Sequence, residues 1–214
     1  TIGTRFEWLQ ENTFAEMKLV VFFIFLIFSN DGISQKLYSD SAFKNIKAHD
    51  KLFEAVADTN KVIKLILKKK RLTSIPKEIF ALQDLEYLDL SKNKLDSIPN
   101  DIVKLKKLKV LILSRNQIKK ISKEIYKLTE LKILNISSND VAKLPKGIST
   151  LSKLEELNIW NTSVDNLPND IEKIKTLKVV DMRGILLNYE TQEELFDLLP
   201  NVKLYMSPPC NCSF

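Results

Sequence analysis

Two cysteines, one histidine and a scatter of carboxylates are the only material for reaction chemistry in this 214-residue chain. A nucleophilic thiol needs a base beside it to form the thiolate. His49 stands far along the chain from Cys210 and Cys212, and no Cys–His pair is in view. Two thiols cannot fill a four-ligand zinc site. Asp89 and Asp181 fall on one sheet face but four copies of a repeat apart. That is about 19 Å at roughly 4.8 Å per strand, too far for paired carboxylate chemistry. With only four glycines the chain has neither a phosphate-cradling loop nor a Gly-x-Ser-x-Gly elbow. The sequence therefore predicts no catalytic residue, no metal and no cofactor. The residues that do carry a pattern are Tyr, Trp, Arg, Asp, Asn and β-branched side chains at a fixed interval, and their chemistry is recognition.

That interval belongs to the elements that position them. Copies of one unit start at Val62, Leu85, Leu108, Leu131, Leu154 and Leu177, a step of 23 residues. Apolar residues fill the first, fourth, sixth and eleventh positions, as in Leu108, Leu111, Leu113 and Ile118. The ninth position is Asn93, Asn116 and Asn139 in the middle copies. Ile75-Pro76, Ile98-Pro99, Leu144-Pro145 and Leu167-Pro168 repeat in the second half, followed by Ile79, Ile102, Ile125, Ile148 and Ile171. Within Leu-x-x-Leu-x-Leu the fourth and sixth residues point inward and the fifth outward, the period of a strand. A strand this short is unstable alone and must stack on the next copy, which yields a parallel sheet over one buried layer. The Asn closes the turn after the strand by bonding backbone groups that the ladder leaves unserved. Pro opens the returning segment, read as a short helix with Ile and Leu inward.

The copies, typified by Leu85 to Pro99, resemble the 23-residue leucine-rich repeats of Ras-suppressor-like and bacterial proteins. The resemblance covers residues 62–187 and implies an α/β fold, a right-handed horseshoe solenoid with a parallel concave sheet. It also implies a non-catalytic module that binds proteins or peptides on that sheet. Lys70, Thr162 and Ile185 at the Asn position, and Ser122 at the Pro position, depart from the pattern. An Asn ladder is thus expected only in the middle three copies.

Positions three, five, seven and eight face the concave side. Position three reads Lys64, Tyr87, Val110, Ile133, Glu156, Val179, and position five reads Ile66, Asp89, Ile112, Asn135, Asn158, Asp181. Position seven reads Lys68, Ser91, Ser114, Ser137, Trp160, Arg183. The expected ligand-binding set is Tyr87, Asp89, Val110, Ile112, Ile133, Asn135, Asn158, Trp160, Asp181 and Arg183. Its apolar members are expected to form an exposed patch of the kind that marks interaction sites. The competing explanation is that β-branched residues merely suit a strand surface. A basic corner is expected from Lys68, Lys69, Lys70 and Arg71 with Lys92 and Arg115.

Residues 1–16 read as an upstream extension. Met17-Lys18, the apolar run Leu19–Phe28 and the small residues Gly32 and Ser34 read as a signal peptide over 17–34, cut before Gln35. The run is too short to span a bilayer, which takes roughly 20 residues. Residues 36–61 read as a helical N-terminal cap, with Phe43 and Ile46 on one face, then Leu52, Phe53 and Val56 following Asp50 as N-cap. Residues 188–206 read as a C-terminal cap: a helix opened by the capping box Thr191–Glu194, then a last strand. In the 207–214 tail, Cys210 and Cys212 have three options: a strained ring, an intermolecular bridge, or free thiols on a loose tail. The loose tail is favoured, and oligomeric state is left open.

The whole chain carries a net charge of +6, and the part after Ser34 has 31 basic against 23 acidic residues. That surplus is spread over Lys-rich exposed positions with interspersed acids, which disfavours nucleic acid as partner. Two readings follow: a secreted, periplasmic or cell-surface protein-binding module, or an intracellular scaffold whose leader is not used.

Overall fold

In a computed structural model the described residues are 42–57 and 62–210. The extension and leader expected over 1–34 lie outside them. Eight short strands form one open parallel sheet in chain order: β1 (Ala48–His49), β2 (Lys64–Ile66), β3 (Tyr87–Asp89), β4 (Val110–Ile112), β5 (Ile133–Asn135), β6 (Glu156–Asn158), β7 (Val179–Asp181) and β8 (Lys203–Tyr205). The register is one copy per strand, so Tyr87, Val110, Ile133 and Glu156 stand side by side, as do Asp89, Ile112, Asn135 and Asn158.

The core lies on one side of this sheet. Leu65, Leu88, Leu111, Leu134, Leu157 and Val180, the middle residues of β2 to β7, are fully buried, and the returning Ile79, Ile102, Ile125, Ile148 and Ile171 meet them there. At about 1.5–3 kcal/mol for each buried Leu or Ile, stacked copies supply a core that one copy lacks.

The returning segments are tighter than a short α-helix. They are single 3-10 turns, such as Lys77–Ala81, Asn100–Lys104 and Asn169–Lys173, each following its Pro. In the Pro-lacking copy Ser122 supplies the cap, its Oγ accepting the Glu124 N–H at 3.2 Å. In the fourth copy Gly147 takes φ +101°, and the turn shortens to Ile148–Thr150. Asp170 of the next copy accepts the freed Gly147 and Ser149 N–H groups at 3.1 and 3.0 Å.

Both caps differ from the sequence expectation. The N-terminal cap is not wholly helical: β1 pairs with β2 in register, placing His49 in the sheet. Helix α1 (Leu52–Ala57) turns Ala55 and Leu52 inward, while Phe53 is 85% exposed and Val56 also faces out. A helix this short brings only one narrow stripe to the core, and the small Ala55 occupies it. At the other end helix α2 (Tyr189–Leu198) begins before the predicted capping box. Asn188 is its N-cap, accepting the Thr191 N–H at 2.9 Å, because an Asx oxygen reaches the third N–H as well as a hydroxyl does. The tail is also less loose than expected as far as it is described. Cys210 is disulfide-bonded, and its N–H donates to the Leu187 carbonyl at 2.9 Å. Cys212 lies outside the described residues.

Candidate functional site

The strands present their odd positions on the face opposite the core, and what they expose there differs from the predicted patch. Val110, Ile112 and Ile133 are only 2%, 6% and 5% exposed, and none joins the main core cluster. Branched side chains on parallel strands about 4.8 Å apart cover one another's flanks. Tyr87 is buried too. Its ring lies 5.4 Å from that of Phe43, and the Lys64 ammonium stands 5.2 Å over it while donating to the Phe43 carbonyl at 2.9 Å. The N-terminal cap thus covers that end of the face.

The polar residues of position five have a structural task. Asp89, Asn135, Asn158 and Asp181 each turn a side-chain oxygen back to the N–H two residues on, in Ser91, Ser137, Trp160 and Arg183. These bonds run from 2.8 to 3.3 Å and serve N–H groups where the strand ends. Asp181 also holds the Arg183 guanidinium through both oxygens, at 2.9 and 2.7 Å. That pairing raises the Arg183 pKa.

Trp160 is the large side chain that this scheme leaves partly open. Ser91, Ser114 and Ser137, its equivalents in earlier copies, are buried, whereas Trp160 is half-buried and its N–H is fixed at 3.0 Å by Asn158. Half-buried Arg183 follows it in the same column, with its guanidinium 5.4 Å from the Tyr205 ring. The Lys203 ammonium lies 4.8 Å from the same ring. Tyr205 was not anticipated as a site residue, since the 23-residue pattern had dissolved before β8.

The basic corner is assembled by backbone geometry. Lys69, Lys92 and Arg115 occupy the eighth position of successive copies and share a left-handed backbone, at φ +59°, +57° and +57°. Ser138, Asn161 and Gly184 continue the column at +51°, +53° and +75°. Lys68 precedes it, half-exposed. The sequence hinted at this turn only through Asn161 and Gly184, residue types that favour a positive φ.

One carboxylate on this face lies outside the predicted set. Glu156 sits in position three between Ile133 and Val179, half-buried, with no ion pair among the described residues. Burial and then the neighbouring Glu155 raise its carboxyl above the usual range.

The Asn residues of the ninth position bond from copy to copy. Asn93 Oδ1 accepts the Lys70 N–H at 2.8 Å, Asn116 that of Leu95 at 3.1 Å, and Asn139 that of Ile118 at 3.0 Å. Each Nδ2 donates to carbonyls of its own and the preceding copy. Thr162 keeps only the bond within its copy, to the Ile159 carbonyl at 2.7 Å.

No three His, Cys, Asp or Glu converge on a metal position among the described residues. No described helix is long and apolar enough to cross a membrane. The described residues form a repeat scaffold that presents side chains on one sheet face and its rim. The family model described as leucine rich repeat matches residues 61–118, and one described as leucine rich repeats in two copies matches residues 106–146. A leucine-rich repeat protein of Leptospira interrogans is 34% identical with a TM-score of 0.61, over 63% of this chain and 34% of that one. Internalin C2 of Listeria monocytogenes is 23% identical with a TM-score of 0.59, over 70% of this chain and 63% of its own, a likeness of fold. This chain thus spans about a third of the Leptospira protein and under two thirds of the internalin. No curated protein sequence matches it. With the stacked copies, the Asn ladder and these matches together, the described residues form a leucine-rich repeat array.

Proposed function

We propose that the chain is a non-catalytic module that binds a protein or peptide across its concave sheet, in a secreted or cell-surface setting. The observation that carries this reading is Trp160. Strand fit does not call for an indole where three earlier copies bury Ser, and Asn158 pins its backbone so that the ring is offered on a rigid base. Trp, Tyr and Arg dominate binding hot spots, and Arg183 and Tyr205 follow Trp160 along the face. The six copies from β2 to β7 span about 24 Å at roughly 4.8 Å spacing, room for a helix or an extended peptide. Because the apolar middle of the face is closed, the contact centres on the Trp160–Arg183–Tyr205 end rather than on Val110 and Ile112.

The secreted setting rests on the sequence over Met17–Gln35. The test of the binding face is a pull-down with wild-type, Trp160→Ala and Lys127→Ala baits. Lys127 lies exposed on a returning turn, paired with Glu124. A protein retained by wild type and Lys127→Ala but lost by Trp160→Ala supports the face; equal retention by all three baits contradicts it.

A further inference from the structure

Among the described residues, the charged groups in and beside the position-three column each have an answering group, except one. Lys64 donates to the Phe43 carbonyl and lies over Tyr87, and Lys203 lies over Tyr205. Glu86 is paired with Lys109. Glu155 is held by both Lys132 and Lys178; Lys178 also attracts Glu156, but burial and the Glu155 charge outweigh it. Glu156 alone stands without an ion pair or a hydrogen bond among the described residues, between the apolar side chains of Ile133 and Val179. A half-buried carboxylate in that position weakens the fold, since burial disfavours the charge and no donor compensates it. Gln or an apolar residue would sit there at lower cost. The strand therefore carries a half-buried charge that no described residue pairs or hydrogen-bonds.

We infer that Glu156 is the specificity-determining anion of the concave face, and that it seats a lysine or arginine of an otherwise apolar partner segment. Half-buried Val179 would flank the aliphatic stem of that side chain, as apolar walls do for snorkelling cations. Water excluded on docking strengthens the pair relative to an exposed one. The net charge of the whole chain, +6, repels cationic peptides in general, so attraction at this point is local and selective. This inference rests on the concave-face reading and names the partner's chemistry.

The test uses the full chain and two synthetic probes, an alternating leucine–lysine peptide of about twelve residues and its leucine–glutamate counterpart. Binding is followed by calorimetry at neutral pH and low salt. The leucine–lysine peptide should bind saturably, and the leucine–glutamate peptide at least tenfold more weakly. Glu156→Gln should weaken the leucine–lysine complex tenfold or more, while Glu172→Gln, exposed on a returning turn, leaves it unchanged. Glu156→Gln should also melt no lower than wild type. Four outcomes would each overturn the assignment: no saturable binding of the leucine–lysine peptide, equal binding by Glu156→Gln, tighter binding of the acidic peptide, or a lower melting temperature for Glu156→Gln. If the assignment fails while Trp160→Ala still releases the partner in the pull-down, the face stands and only its cation is wrong. If both fail, the concave-face reading fails with it.

Discussion

Glu155 and Glu156 are consecutive residues whose carboxyl groups meet opposite surroundings. Burial raises the Glu155 carboxyl, but Lys178 and Lys132 outweigh it and hold the group below the usual range. Glu156 has no such partner, and its carboxyl is raised. The alternation of a strand entry, one side chain to the rim and the next to the face, separates them.

The pair predicts two opposite pH dependences. Glu155, depressed on folding, contributes stability that is present above its unfolded value near 4.5 and lost as pH falls through its lower folded value. Glu156, raised on folding, costs stability when ionised, and that cost is relieved as pH falls through its raised value. Carboxyl NMR titration should find Glu156 protonating first on acidification and Glu155 well after it. Glu155→Gln should destabilise by about 1–2 kcal/mol at neutral pH, the loss moderated because both lysines reach solvent.

The ladder predicts a positional difference. Asn116→Ala strands the Leu95 N–H and the Leu90 and Leu113 carbonyls. It should cost about 1–3 kcal/mol in a denaturant melt. Thr162→Ala gives up one bond, to Ile159, and should cost less. Equal losses would show that the ladder does not bind one copy to the next.

The left-handed column predicts a third result. Gly184 has φ +75°, and a Cβ there would come within 3.4 Å of the Asn161 backbone. Gly184→Ala should destabilise by about 1 kcal/mol, whereas Asn161→Gly, which relaxes the same conformation one copy earlier, should be neutral or slightly stabilising. Thermal melts of the two variants distinguish them.

The scaffold was legible because its buried positions recur every 23 residues, and a core stripe cannot drift without losing its packing. Register, core and the three-copy ladder follow from that rule alone. The caps were less legible since they obey it only in part: nothing periodic marks β1, and Asn188 and Thr191 are both acceptable helix starters. The column of positive φ was hidden because Lys69, Lys92 and Arg115 are not residues that announce it. The face was misjudged where its exposure depends on neighbours rather than on pattern. Val110 and Ile133 are closed off by side-by-side packing, and Asp89 and Asn135 are occupied with strand-end N–H groups. Trp160 stood out at both levels, as the odd residue in a column of serines and as the large side chain left partly open.

Binding across the concave sheet requires Trp160 to meet the partner. The chain has two tryptophans, so a Trp8→Phe variant leaves the indole of Trp160 as the sole reporter. Titrating that variant with the protein recovered in the pull-down should shift its emission to the blue and saturate at the affinity found by calorimetry, as the ring leaves water. An emission spectrum that does not move while calorimetry records full binding would place the partner elsewhere and contradict the account.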